Sequence, residues 1–508
     1  MLALLLILNL SCAQQAISPA GDLKIYTTAP ANPVLVGLSV NPMLCASMYS
    51  TAGTVNLRSM QGILNAAAVN DVQKIEIYFT DTEPLFNSTN IIAAIPPAEN
   101  FVIPIEATIK PGVHYIWVSI TLKETANRDS FAELHITKFK DEAGKEIALT
   151  ENPSAFKKRI GVVVRKAGDD GVNTYRIPGI TVTDKGTLIS VYDIRYNNSV
   201  DLPGNIDVGM SRSTDGGKTW QPMKNIMDMG PPHENNGVGD PAILFDPNTK
   251  KIWVVALWSK GNKSIAGSGP GLTPDETGQF AVVSSSDDGL TWSAPVSITA
   301  QVKNPIWNLF FNGPGNGITM NDGTLVFAAQ YWDEKKMPYS TIIYSSDHGL
   351  TWKSGIGAKS NTTESQVIET TPGVLMLNMR DNRGNFRSVA TTTDMGKTWI
   401  EHPTSYKDLQ DPVCMASLIK ALVTVKGVQK EVTFFSNPNS PAARVNITIK
   451  ASLDRGETWP SANQLLIDER RCFGYSALVK IDDDTLGLLY EGSKDLYFVR
   501  IPVSDVIK

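Results

Sequence analysis

The octet Ser213-Thr-Asp-Gly-Gly-Lys-Thr-Trp220 returns four times further along the chain. It stands at 285–292, 345–352, 392–399 and 452–459, always as S/T-x-D-x-G-x-T-W. Successive tryptophans are 72, 60, 47 and 60 residues apart. Repetition at such spacing marks a chain assembled from similar supersecondary units, as in solenoids, propellers and arrays. The chemistry of the octet is that of a turn. Its aspartate can accept backbone N–H bonds and hold a tight reversal. Its glycine can adopt a positive φ. Its tryptophan is a large apolar anchor, expected to pack the turn onto its own unit. No nucleophile stands beside a base, so the octets read as structural staples and their acidic residues as poor catalytic candidates.

Around the octets the strand signals are dense. Thr187-Leu-Ile-Ser-Val-Tyr, Lys251-Ile-Trp-Val-Val-Ala-Leu-Trp, Thr324-Leu-Val-Phe-Ala-Ala-Gln and Gly373-Val-Leu-Met-Leu-Asn are β-branched or aromatic runs, several of them entered through a glycine turn. About 350 residues at roughly 60 per unit give six units, and four-stranded blades around an axis let an all-β chain avoid open edges. Residues 155–508 are therefore expected to form a six-bladed β-propeller. Residues 17–154 lack the octet. Short alternating runs at 54–60, 72–79, 114–122 and 131–139 predict a β-sandwich there.

Composition sets bounds. The 508 residues are 42% hydrophobic and 19% charged, with a net charge of −5. That is ordinary globular composition, and its sign argues against nucleic acid as the main partner. Residues 1–10 are apolar apart from Asn9, a length suited to a signal-peptide core and too short to span a bilayer. A signal peptide over residues 1–13 is expected, with export to the periplasm, the cell surface or the medium of a bacterium. Two processing readings stay open: cleavage after Ser11-Cys12-Ala13, or lipidation of Cys12 as a membrane attachment. The remaining cysteines, Cys45, Cys414 and Cys472, are odd in number and scattered. They read as free thiols, with a Cys414–Cys472 bridge left open. No His or Cys cluster suggests a metal, and no cofactor is expected.

Chemistry is sought outside the octets. Arg176 lies in Tyr175-Arg-Ile-Pro178, Arg380 ends the run Leu375-Met-Leu-Asn-Met, and Arg444 begins Arg444-Val-Asn-Ile-Thr-Ile-Lys. Three arginines from three different blades can converge only near a propeller axis. There they would suit a carboxylate, which guanidinium binds through paired donors.

With the Tyr-Arg-Ile-Pro segment and the five octets, residues 159–508 resemble the bacterial exo-sialidase (neuraminidase) family. The preceding region is similar to the carbohydrate-binding-like β-domain of some gut bacterial sialidases. The resemblance implies a hydrolase that releases terminal sialic acid from glycoproteins, glycolipids or oligosaccharides. By the same resemblance, Arg176, Arg380 and Arg444 match the triad that grips the sugar's carboxylate, and Asp201 matches the acid/base. Tyr475, in Gly474-Tyr475-Ser476, matches the nucleophile and Glu364 its partner. Glu491 matches the residue that holds the first arginine. Arg195 and Asp240 resemble groups that contact the 4-hydroxyl, and Gln330 is matched to the glycerol tail.

The chemistry accounts for these types. Most glycosidases use two carboxylates, and sialidases with a tyrosine nucleophile are an exception. The anomeric carbon of sialic acid already bears a carboxylate, which would repel an anionic nucleophile and not a neutral phenol. Tyr475 then needs Glu364 to take its proton. Two alternatives stay open. One is a trans-sialidase or anhydro-forming enzyme on the same site, dependent on acceptor-side aromatics among Trp258, Trp307, Phe310, Phe311, Tyr331 and Trp332. The other is a sialoglycan-binding propeller without turnover.

Overall fold

The computed structural model describes residues 23–151 and 155–508. The expected signal peptide and Cys12 lie outside the described residues. The chain divides between Val163 and Val164 into two compact units.

The first unit is all-β apart from one short helix, Ala66–Asp71. One sheet has the antiparallel order Lys24–Thr28, Asn41–Ser50, Gly112–Leu122, Val72–Asp81, Ile91–Ile95. The second runs Phe156–Arg165, Phe131–Asp141, Val55–Leu64, Asn100–Ile109, also antiparallel. Asn100–Ile109 shows why such runs become sheet. Phe101, Ile103, Ile105, Ala107 and Ile109 are buried while the residues between them are not. That period of two fits a sheet with one buried face.

The second unit is the six-bladed β-propeller. Five blades are sheets with the inner strands Thr174–Val182, Asn236–Asp246, Leu309–Asn312, Thr362–Thr371 and Ser417–Val425, antiparallel apart from a short parallel pairing of Asn236–Asp246 with Gly315–Asn316. The sixth is carried by Ser476–Lys480, Thr485–Glu491 and Leu496–Pro502. Apolar side chains of adjacent blades interdigitate. Ile189, Val191, Val208 and Met210 of the first blade meet Val238, Ile243, Val254 and Ala281 of the second in one buried cluster.

Each octet closes in the same way. Ser213 Oγ donates to Asp215 (2.7 Å) and accepts the Gly217 N–H (2.8 Å). Asp215 accepts the Thr219 N–H (3.0 Å) and hydroxyl (2.6 Å). Asp287, Asp347, Asp394 and Asp454 accept the corresponding threonine amides at 2.8–2.9 Å. The turn chemistry is as expected, but the tryptophan's target is not its own blade alone. Trp352, of the third blade, meets Trp253 of the second at 6.1 Å. Trp292 packs into the seam of the first and second blades, and Trp459 into that of the fourth and fifth. Trp220, of the first blade, meets Phe498 of the sixth edge-on at 5.2 Å, which closes the ring. The octet glycine lies against the same neighbour. A Cβ on Gly349 would stand 2.3 Å from the Trp253 ring, and one on Gly217 2.1 Å from Phe498. The octets are thus rivets between blades, and glycine is required both for its positive φ and for this close approach.

Candidate active site

The inner strands carry β-bulges, and side chains of the site project from them. In Thr174–Val182 pairing is regular at Arg176↔Asp193 and resumes at Gly179↔Val191. Ile177 between them has φ +57°, a conformation that is rare for a β-branched residue. In Asn236–Asp246 the break lies between Gly239 and Ala242, with Asp240 at φ +58°. In Thr362–Thr371 it lies between Thr362 and Ser365 and contains Glu364. A bulge unpairs one residue and re-aims its neighbours. Here the same device on three blades turns Arg176, Asp240 and Glu364 to one cavity.

That cavity has a volume of about 210 Å³. Arg176, Asp201, Asp240, Gln330, Glu364, Arg380, Arg444 and Tyr475 all reach its wall. Arg195 and Glu491 stand behind the wall, 1% and 0% exposed.

Tyr475 precedes the inner strand of the sixth blade and is buried. Its hydroxyl donates to Glu364 Oε1. Arg380 Nη1 donates to Glu364 Oε2 (2.6 Å) and to the Tyr475 hydroxyl (3.1 Å). The Arg176 and Arg444 guanidinium groups lie 5.3 and 5.6 Å from the Tyr475 ring centre, within cation–π range. Burial, and then the Glu364 carboxylate, push the Tyr475 phenol well above its ordinary value against the pull of Arg380 and Arg176. The phenol is neutral, with a carboxylate placed to take its proton.

Glu491 anchors this corner. Its Oε1 accepts Arg176 Nε (3.1 Å) and the strained Ile177 N–H (2.9 Å), and its Oε2 accepts the Tyr475 N–H (2.9 Å). Arg444 donates to the Phe473 and Val413 carbonyls (2.9 and 3.2 Å). It does not begin a strand as expected. The strand starts at Ile447, after Asn446 at φ +60°, and Arg444 lies on the connection before it. Phe473, which the sequence did not single out, lies 4.7 Å beneath the Arg176 guanidinium.

Asp201 sits on the loop after the strand Leu188–Arg195 with its side chain 74% exposed, paired to Arg195 Nη1 (2.7 Å) and Arg176 Nη1 (3.2 Å). Crowding by neighbouring protein removes part of its solvation and raises its carboxyl although the side chain is open to solvent, but Arg195 and then Arg176 outweigh this and hold it below the usual carboxylate range. Arg195 also donates twice to Asp193 Oδ2 (3.1 and 2.8 Å). Asp240 is pushed well above the carboxylate range by burial and by its acidic neighbours Asp193, Asp201 and Glu364. Burial also raises Asp193, against the pull of Arg195, which donates two of its bonds to it.

The opposite wall is apolar: Leu202, Leu257, Ile265, Phe311 and Trp332. Phe311 and Trp332 stack at 5.7 Å. Trp307, Phe310 and Tyr331 instead form a stack in the core of the second and third blades. Trp258 packs at the first seam and donates to Asn236 (2.7 Å). Of the six aromatic candidates, two line the cavity. Gln330 is fixed by donation to the Asn312 carbonyl (3.1 Å). Cys45, Cys414 and Cys472 are free thiols. Among the described residues, no group of three or more His, Cys, Asp or Glu is placed to hold a metal ion.

A buried tyrosine bonded to a half-buried glutamate beside three arginines, on a propeller riveted by octets, defines a class of glycoside hydrolase. Comparison with known proteins gives the family. Residues 201–490 match a BNR repeat-like domain and residues 22–145 the N-terminal domain of BNR-repeat neuraminidase. The chain is 43% identical to a sialidase of Bacteroides fragilis over 475 residues, 87% of each protein. It is 34% identical to a sialidase of Micromonospora viridifaciens over 340 residues, 64% of this chain and half of that one. Among solved structures, "Hadza microbial sialidase Hz136" superposes with a TM-score of 0.88 at 40% identity, covering 95% of this chain and all of the other. The chain belongs to the BNR-repeat sialidases (neuraminidases), a family of glycoside hydrolases.

Proposed function

We propose that the protein is an exo-α-sialidase that removes terminal sialic acid from glycoproteins, glycolipids or oligosaccharides with retention of configuration, through an intermediate covalently bound to Tyr475. The observation that carries this is the Tyr475 hydroxyl donating to Glu364, with Arg380 holding the other Glu364 oxygen.

In this reading Arg176, Arg380 and Arg444 bind the carboxylate on the anomeric carbon and stabilise it as the ring flattens towards an oxocarbenium ion. The neutral phenol approaches that carbon without the repulsion an anionic carboxylate would meet, and Glu364 takes its proton as the C–O bond forms. Asp201 donates a proton to the leaving oxygen, then removes one from the water that cleaves the tyrosyl bond. Asp201 is ionised while paired to Arg195 and Arg176. A sugar carboxylate at Arg176 relieves part of that pull and adds a negative charge nearby. Both changes raise the Asp201 pKa, so turnover favours acidic pH. Asp240 faces the ring hydroxyls and Gln330 the glycerol tail, while Arg195, behind the wall, acts through Asp201.

Export is part of the same reading. It is supported by the apolar run of residues 1–10 and suits sialylated substrates outside the cell. The test is proton NMR of the first-formed product from a sialyl-lactose. The α-anomer appears first if configuration is retained. The β-anomer first excludes the Tyr475 intermediate.

A further inference from the structure

Asp193 lies on the strand Leu188–Arg195, 1% exposed, and is not part of the cavity wall. A carboxylate so placed needs a reason, because burying a charge is costly unless it is paired and hydrogen-bonded. Its Oδ2 accepts Arg195 Nε and Nη2 at 3.1 and 2.8 Å, a forked pair. Its Oδ1 crosses to the second blade and accepts the Asp240 N–H at 2.8 Å. That N–H belongs to the bulge residue at φ +58°. The preceding Gly239 leaves the room, since a Cβ there would meet Asp193 Oδ1 at 3.0 Å.

The same arginine faces Asp201. Arg195 Nη1 pairs with Asp201 Oδ1 at 2.7 Å and donates to the Ser199 carbonyl at 2.7 Å. One guanidinium is therefore divided between a buried aspartate and an exposed one. The charged groups around this pair are Arg176, which also touches Asp201, Asp240 on the neighbouring blade, and Arg444 and Glu364 across the cavity.

We propose that Asp193 is a positioning residue for the reaction: it aims Arg195 and shares that charge with Asp201, and it holds the Asp240 bulge against the cavity. This rests on the reading of Asp201 as the acid/base. By pairing with Arg195 through Nε and Nη2, Asp193 limits how strongly Asp201 is kept ionised. Without that counter-charge the whole guanidinium acts on Asp201 and favours its carboxylate form. Protonated Asp201 would then be lost at a lower pH, and leaving groups that need a proton would suffer first.

The test compares the full chain with its Asp193→Asn variant, using pH profiles on a sialyl-lactose and on an aryl sialoside whose phenolate leaves unaided. The expected result is an alkaline limb moved down by about one pH unit. With it, kcat/KM on sialyl-lactose falls roughly tenfold more than on the aryl substrate, a fraction of the general-acid contribution. Equal loss on both substrates with an unmoved limb overturns the proposal. Should Asp193→Asn not fold, Gly239→Ala presses a methyl on the same carboxylate without removing its charge. It is expected to change the ratio between the two substrates while leaving the limb in place, and an unchanged ratio counts against the proposal. Asp201→Asn separates the two levels. If it loses activity equally on both substrates, the acid/base reading itself fails. If it spares the aryl substrate while Asp193→Asn does nothing selective, only the role of Asp193 fails.

Discussion

Glu491 Oε2 accepts the backbone N–H of Tyr475 at 2.9 Å, so the carboxylate that holds the first arginine also fixes the peptide carrying the phenol. Its other oxygen takes Arg176 Nε and the Ile177 N–H. Glu491→Gln keeps the shape but loses the charge and turns an amide N–H towards one of these donors. Breaking a fully buried pair of this kind costs roughly 3 kcal/mol. The expected outcome is a lowered urea midpoint together with a loss in kcat/KM of about a hundredfold or more. Unchanged stability would mean that Arg176 finds another partner.

Tyr475→Phe removes one oxygen and leaves the ring that Arg176 and Arg444 flank. Loss of a nucleophile costs roughly a thousandfold in kcat or more. Binding of a sialic acid analogue should change little, because the arginines remain. Glu364→Gln is expected to cost about 10²–10⁴ in kcat, the range of a general base. Steady-state kinetics with a fluorogenic sialoside, and calorimetric binding of the analogue, check both.

Acid should loosen the propeller through the octets. The carboxyls of Asp287 and Asp347 are held down to about 2, by the Thr291 and Thr351 hydroxyls and then by their amides. That of Asp394 is also held at about 2, by the Thr398 amide and then its hydroxyl. An unfolded aspartate titrates near 3.9. Groups depressed on folding stabilise above the unfolded value and lose that contribution as pH falls through the folded one. The unfolding midpoint should therefore fall as pH drops from about 4 towards 2. A triple Asp287→Asn, Asp347→Asn, Asp394→Asn variant should be less stable at neutral pH and show a shallower fall over that window.

The octet glycines should be intolerant of alanine for a reason unrelated to catalysis. Gly217 has φ +85°, and a Cβ there would overlap the Phe498 ring that closes the propeller. Overpacking together with a strained backbone is worth about 3 kcal/mol. Gly217→Ala should lower the melting temperature and leave kcat/KM of the folded fraction unchanged. A changed KM would show that the ring seam reaches the cavity.

The propeller was legible because its signal is local. Asp215, Gly217 and Thr219 make their bonds within one turn, and runs such as Thr187-Leu-Ile-Ser-Val-Tyr are rich enough in β-branched and aromatic residues to read as strands by themselves. What Trp220 packs against was not legible, because Phe498 is distant in sequence and adjacent only once the ring has closed. The site was readable as residue types in order. Its geometry was not. The bulges at Ile177 and Asp240 are set by inner strands meeting at the axis, although the Ile177-Pro178 and Asp240-Pro241 pairs were a usable sign of broken pairing. Phe473 beneath Arg176 carries no such sign, and neither does the withdrawal of Arg195 behind Asp201.

The most direct measurement is covalent trapping. The enzyme is inactivated with a 2,3-difluorinated sialic acid, which slows hydrolysis of the intermediate, then digested and mapped by mass spectrometry. A phenolic nucleophile at the Glu364 carboxylate predicts one glycosyl adduct per chain, on the peptide containing Tyr475, and none in Tyr475→Phe. An adduct on Asp201 or Glu364 in the wild-type enzyme, or inactivation of Tyr475→Phe at the wild-type rate, would show that Tyr475 is not the nucleophile.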